Sequence, residues 1–401
     1  MRVMRSTGQP QTGMGRRAGK GPSLSESVGR FWQRVTEGME LNELWGQFRA
    51  DARTSYRLYS QEVEATREPG DSQKRHFFRV AKQVFWAFLE KLTPAKRILL
   101  LLALMLLLFP SFDWTWHTKT GSGEIDTTWM PFLGGAVMFA LLMMEVGDRV
   151  VMKRDLQIAK EIQAWLLPAR APEVPGVEIA FATKPANTVA GDYYDVFARP
   201  GSEGRTWLMA IADVAGKSVP AAMLMATFQA SLKTLSDRPG PLTELVASLN
   251  RYACTNSQNG RRFTTAFIAE YEPAMRRLTY VNAGHNTPML LRRSGAVERL
   301  DCGGMPLGVL EAAVYAAGTV TLEAGEWLVA FTDGVVEAEN PAQQQYGEER
   351  LLAVLRWGVS LAPQVLLEAL LADVVRFEAN APQHDDITCV MVKVQPVAGS
   401  L

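Results

Sequence analysis

The chain has 401 residues with 42 basic and 42 acidic side chains, so its formal net charge at pH 7 is zero. That balance leaves no electrostatic footprint for a nucleic-acid partner. The three cysteines, Cys254, Cys302 and Cys389, lie far apart without CxxC or zinc-ligand spacing, and read as buried small hydrophobes in a reducing compartment.

Residues 1–22 are rich in Gly, Ser, Thr, Arg and Lys and hold too few apolar residues to order themselves. No apolar h-region follows the basic start, which argues against a signal peptide. Residues 23–96 read as a cytoplasmic or interfacial helical region. Within 24–66, Phe31, Trp32, Val35, Met39, Leu44, Trp45 and Phe48 recur at roughly helical steps. In Lys74–Leu92, Phe77, Phe78, Phe85 and Phe88 alternate with Arg75, Arg79, Lys82 and Lys91. Such a helix suits either the membrane interface or a packed neighbour.

Residues 97–146 hold two apolar runs. Ile98–Phe112 is uncharged and is followed by Trp114 and Trp116, as in an interfacial aromatic belt, which predicts a first span over about 98–116. Trp129–Val146 carries one charge, Glu145, and predicts a second span over 129–146. Lys91, Lys96 and Arg97 precede the pair and Arg149, Lys153 and Arg154 follow it, so both termini are expected in the cytoplasm. Residues 147–168 read as a linker helix ended by Pro168. Its stripe Met152, Leu156, Ala159, Ile162 and Leu166 fits either a two-stranded coiled coil or a helix packed on its own domain.

Residues 169–398 change texture. β-rich runs are predicted at Val177–Thr183, Trp207–Ala212, Thr264–Tyr271, Arg277–Asn282, Met289–Arg292, Trp327–Thr332 and Ile387–Val394. Helices are predicted at Pro220–Leu235, Leu242–Ser257, Glu348–Gly358 and Pro363–Phe377. The order predicts an α/β class domain, an α+β sandwich of two antiparallel sheets flanked by helix pairs, preceded by an α-helical transmembrane hairpin and the linker helix. Neither GxxxxGKS/T nor a strand-linked GxGxxG is present.

Four acidic motifs sit at predicted strand ends: Gly191-Asp192-Tyr193-Tyr194-Asp195, Asp213-Val214-Ala215-Gly216-Lys217, Thr332-Asp333-Gly334 and His384-Asp385-Asp386-Ile387. A single Asp-Gly is most often a turn. Several converging carboxylates repel one another unless a divalent cation lies between them. An oxygen-only set without His or Cys pairs points to Mg²⁺ or Mn²⁺.

From about Asp155 to Val394 the chain resembles the PPM superfamily of metal-dependent protein phosphatases, and more narrowly its bacterial SpoIIE/RsbU branch. The resemblance is carried by IAKEIQAWLLP (158–168), PANTVAGDYYDVF (185–197), IADVAGKSVPAAMLMA (211–226), NAGHNTPMLL (282–291), GMPLGV (304–309), FTDGVVEAEN (331–340) and QHDDITCVMVKV (383–394). It implies a serine/threonine protein phosphatase with two divalent cations, Mn²⁺ or Mg²⁺. Asp213 resembles the bridging metal ligand, and the Val214 carbonyl a backbone ligand. Asp192 resembles a ligand of the second metal's shell, and Asp333 and Asp385 the remaining ligands of the first. Asp386 stays open, because the adjacent pair leaves the register undecided. Asp195 reads as a solvated turn residue or a support. Lys217 and His285 are candidate substrate contacts, His285 also a candidate loop support. The His and Arg that eukaryotic members place near the bridging Asp and the first acidic motif are missing here.

The resemblance further implies a phosphorylated STAS-type anti-anti-sigma substrate. The whole reads as a multi-pass protein of the bacterial inner membrane, its catalytic domain cytoplasmic, and a homodimer through the linker helix. The alternative is a pseudophosphatase scaffold that binds a phosphoprotein without turnover. A serine kinase is disfavoured by the absence of an ATP-binding glycine motif.

Overall fold

The computed structural model describes residues 92–108, 113–118, 121–202, 204–256 and 262–396, with scattered positions between 82 and 90. The segments expected at 1–22 and 24–66, and most of 74–92, lie outside the described residues. The chain divides into two compact units, Met1–Glu145 and Val146–Leu401.

In the first unit, α1 (Pro94–Leu108) lies antiparallel to the start of α2 (Met130–Leu166). A Cβ added to Gly134 would stand 2.9 Å from Leu107 N and 3.0 Å from Ala103 O, so the absent side chain lets the two backbones close on each other. Farther along the pair, Lys96 Nζ meets Glu145 at 3.1 Å, with the Lys96 side chain only 11% exposed. Outward lie Leu101, Met105, Leu108, Phe132, Phe139 and Leu142, all exposed. Between the helices, β1 (Asp113–Thr118) and β2 (Gly121–Asp126) pair antiparallel, Asp113 opposite Asp126.

Among the described residues, one helix is long and apolar enough to cross a membrane by length and composition, the 37-residue α2. The first span expected over 98–116 is corrected: the helix ends at Leu108, and Trp114 and Trp116 belong to β1. At 15 residues α1 is about 22 Å long, short of a hydrocarbon core of about 30 Å. Pro110 follows, a residue with no N–H for the helix ladder.

α2 runs unbroken from the second apolar stretch through the expected linker. The predicted stripe splits within it. Gln163 is buried, and Leu156, Ala159 and Leu166 are half-buried in the second unit, whereas Met152 and Ile162 are exposed. The exposed apolar face is Val151, Ile158, Ile162 and Trp165.

The second unit is a sandwich. One sheet runs β10 (Gly303–Gly304), β7 (Arg277–Ala283), β6 (Thr264–Glu272), β5 (Trp207–Val214), β4 (Tyr193–Ala198), with β11 (Gly318–Thr321) also on β7. The other runs β3 (Val177–Lys184), β13 (Ile387–Val394), β12 (Trp327–Phe331), β8 (Met289–Leu291), β9 (Val297–Arg299). All pairings are antiparallel except β10 on β7. The central strands are buried on both faces, so they read as continuous apolar runs rather than as alternation. In β5, Met209 and Ile211 point between the sheets with Phe267, Leu328, Ala330, Val390 and Val392. Leu208, Ala210 and Ala212 point the other way, onto α3 (Ser218–Leu235) and α4 (Leu242–Thr255). The second sheet buries its outer face under α6 (Gly347–Trp357) and α7 (Pro363–Glu378), with Trp327, Phe331, Leu351, Leu366 and Leu370. Both helix pairs fall where periodicity placed them. β4 lies outside the predicted strands, because YYDVFA carries Asp195 inside an acidic motif rather than an apolar run.

Candidate active site

Every acidic motif emerges at one end of this sandwich. Asp192 precedes β4 and Asp213 lies near the end of β5, both in the first sheet. Asp333 opens a short helix α5 (Asp333–Val336) directly after β12, and Asp385 and Asp386 lead into β13, both in the second. One close approach requires glycine and a second is tight. A Cβ on Gly334 would stand 2.1 Å from the Asp386 carbonyl oxygen, and one on Gly191 would meet Val214 O and Ala221 Cβ at 3.2 Å.

The carboxylates perturb one another. Asp213 is pushed up to about 7, first by burial, then by the charges of Asp333, Asp385 and Asp386, with Lys217 opposing. Asp192, 2% exposed, is held well above the usual carboxylate range by burial and then by Asp213. Asp333 is raised by burial and then by Asp385. The cause in each case is desolvation of a charge beside like charges.

The adjacent pair divides its work. Asp386 Oδ1 accepts the Ala186 N–H at 2.7 Å and Oδ2 the Gly191 N–H at 2.6 Å, so both its oxygens fasten the loop that carries Asp192. Burial raises its carboxyl, and these N–H groups oppose the rise. Asp385 is more open, accepts the Asp386 N–H at 2.9 Å and faces Lys217 Nζ at 3.2 Å. Lys217, the N-cap residue of α3, also donates to the His384 carbonyl at 2.6 Å. Its ammonium is engaged with the acidic cluster itself. Ser218, next to it, has φ 61, a conformation few non-glycine residues adopt.

Two expectations change. His285 is 5% exposed and burial lowers its pKa to about 4, so it is a buried neutral ring and not a solvent-facing substrate contact. Asp195 is not a solvated turn residue. It is buried in β4, accepts the Tyr193 hydroxyl at 3.0 Å and pairs with Lys233 at 2.6 Å.

Two supporting side chains, Thr332 and Gln163, join the acidic motifs. Thr332 Oγ1 donates to Asp192 Oδ2 at 2.9 Å and accepts the Thr388 N–H at 3.0 Å, joining motifs of both sheets. Gln163 on α2 donates to Ala190 O at 2.7 Å and accepts the Ala190 N–H at 2.9 Å, two residues before Asp192. A threonine beside each acidic motif of the second sheet was a readable signal. Gln163 lies in the IAKEIQAWLLP stretch (158–168) that carries the resemblance, although by periodicity a polar residue beside an apolar stripe reads as solvated.

An oxygen-only donor set whose members raise each other's pKa suits a hard divalent cation. Among the described residues, no three His, Cys, Asp or Glu side chains converge closely enough to form a ready-made shell.

Residues 203–395 match the family model described as Stage II sporulation protein E (SpoIIE). Protein IcfG of Synechocystis is 27% identical over 279 residues, 63% of this chain and 43% of that protein. Phosphoserine phosphatase RsbU of Bacillus subtilis is 26% identical over 255 residues, 62% of this chain and 72% of that protein. The chain thus spans under half the length of the first relative. The solved SiaA-PP2C domain of Pseudomonas aeruginosa superposes with a TM-score of 0.54 at 20% identity, covering 62% of this chain and 99% of that one. The fold is therefore the PP2C-like α/β sandwich. Residues 203–395 of the second unit are thus similar to the SpoIIE family.

Proposed function

We propose that the chain is a metal-dependent serine/threonine protein phosphatase. The observation that carries this reading is the cluster of four acidic motifs from two sheets, with Asp213 raised to about 7 in their midst. Asp213, Asp333, Asp385 and Asp192, with the Val214 carbonyl, would hold two divalent cations, Mn²⁺ or Mg²⁺. Such ions, when bound, supply a water of lowered pKa for in-line attack on phosphorus. Asp386 and Thr332 hold the Asp192 loop in register, and Lys217 sits at the rim where it can reach an incoming phosphate. The names of the relatives support a phosphoserine protein as substrate, and a STAS-type regulatory protein fits that chemistry. The apolar α2 supports a bacterial inner-membrane tether. The exposed face of α2 supports a homodimer.

The open spacing of the carboxylates favours a second reading, a phosphoprotein-binding scaffold without turnover. One experiment separates the two. The full chain is incubated with phosphoserine-bearing STAS proteins in Mn²⁺ and then in chelator. Phosphate release in Mn²⁺ alone supports the phosphatase. Binding without release in either condition overturns it.

A further inference from the structure

Lys217 reaches from one sheet to the other at the acidic end of the sandwich. It follows the last residue of β5, Val214, in the first sheet. Its Nζ donates to the His384 carbonyl at 2.6 Å and meets Asp385 Oδ2 at 3.2 Å, on the segment that leads into β13 of the second sheet. The backbone is bent to present it: Gly216 before it has φ 126 and Ser218 after it has φ 61. A positive φ outside glycine costs free energy and persists where the surroundings impose it. The same positive charge acts on Asp213 and Asp333. Lys217 thus stands among three of the carboxylates assigned above to the cations. An ammonium has three donors. One partner here is a backbone carbonyl, and the other is a carboxylate that a cation would take.

We propose that Lys217 is an internal counter-cation that yields Asp385 to the metal and is thereby released to the phosphate of the substrate. The proposal rests on the metal-site reading above. Without the ion, the ammonium neutralises part of the acidic cluster and occupies an oxygen of Asp385. When an ion draws that carboxylate away, the His384 carbonyl keeps Lys217 at the rim with a donor free. Ion and phosphate then bind with positive coupling, each strengthening the other. Lysine suits such an exchange, since a compact ammonium on a flexible stem leaves a carboxylate more readily than the two-pronged guanidinium of arginine.

The test uses the full chain in detergent and the variants Lys217→Met and Lys217→Gln, which remove the charge at a half-exposed position. Mn²⁺ binding by calorimetry is expected to tighten about threefold in both, the scale of one half-exposed ion pair. The metal-free chain should melt lower at pH 8 in each variant, and the loss should shrink when Asp385→Asn is added, because the two side chains are direct partners. With Mn²⁺ saturating, KM for a phosphoserine protein should rise about tenfold, the scale of one charge-assisted hydrogen bond. Mn²⁺ binding that is unchanged or weaker in the variants would make Lys217 a support of Asp385 rather than its competitor, and would overturn the proposal. So would an equal melting loss in both Asp385 backgrounds, or an unchanged KM, each leaving the phosphatase reading intact. A wild-type chain that takes up no Mn²⁺ would overturn that reading and this role with it.

Discussion

Asp213 and His285 push stability in opposite directions as pH changes, and their windows overlap. Asp213 rises from 3.8 to about 7 on folding, so the folded chain holds a proton that the unfolded chain has released. Its contribution is complete below 3.8 and is lost as pH rises through about 7. His285 falls from 6.5 to about 4, so its contribution is complete above 6.5 and is lost as pH falls through about 4. Asp192, Asp333 and Asp386 are also raised, and four carboxyls outweigh one imidazole. The melting temperature of the metal-free chain should therefore fall between pH 5 and pH 8, and excess Mn²⁺ should remove most of the fall. A melting temperature that climbs steadily across that range would show the carboxylates to be far less crowded than described. Asp213→Asn should raise the metal-free melting temperature at pH 8 and cost several orders of magnitude in turnover. Equal turnover in that variant would exclude Asp213 from the site.

Elements transmit such effects through few contacts. Gln163 is the bond between α2 and the loop that carries Asp192. Gln163→Ala would strand the buried Ala190 N–H and carbonyl, each costing about 1–3 kcal/mol if no water replaces the amide. Denaturant titration should show the loss, with altered phosphatase turnover. Unchanged values in both measurements would make the contact incidental. The same contact shows what the sequence could and could not convey. Seven strands and four helices were legible because apolar runs and helical spacing record burial directly. β4 was not, since Tyr193 and Asp195 owe their burial to Phe228 and Lys233, partners from distant helical turns. The acidic motifs were legible as a set. The division of labour between Asp385 and Asp386 was not, because it depends on which backbone N–H groups lie opposite, a property of tertiary packing alone.

At the scale of the whole molecule, the membrane tether and the dimer are the testable features. Alkaline carbonate should leave the full chain in the membrane pellet. Release of the chain into the supernatant would exclude the tether. For the dimer, the exposed face of α2 shifts the informative substitutions away from Leu156, which is half-buried in its own domain. Ile158→Asp with Ile162→Asp should halve the mass measured by light scattering and change turnover. An unchanged mass would leave that face to another partner.

The four acidic motifs divide evenly between the two sheets, and this makes the acidic end of the sandwich a seam under pressure. Like charges on opposing layers push the layers apart, while Met209, Ile211, Leu328 and Val390 hold them together from within. A cation held at that seam, as proposed above, would act as a rivet, and its affinity and the cohesion of the layers would be one quantity seen from two sides. Ion concentration would then set mechanical integrity as well as turnover. At a hundredfold excess over its dissociation constant, the ion would add about 2.7 kcal/mol to the domain. A cell that starves this protein of metal would not merely idle it. It would loosen the layers from the catalytic end inward, exposing the β5 and β12 termini to proteases before the helices on the outer faces are disturbed.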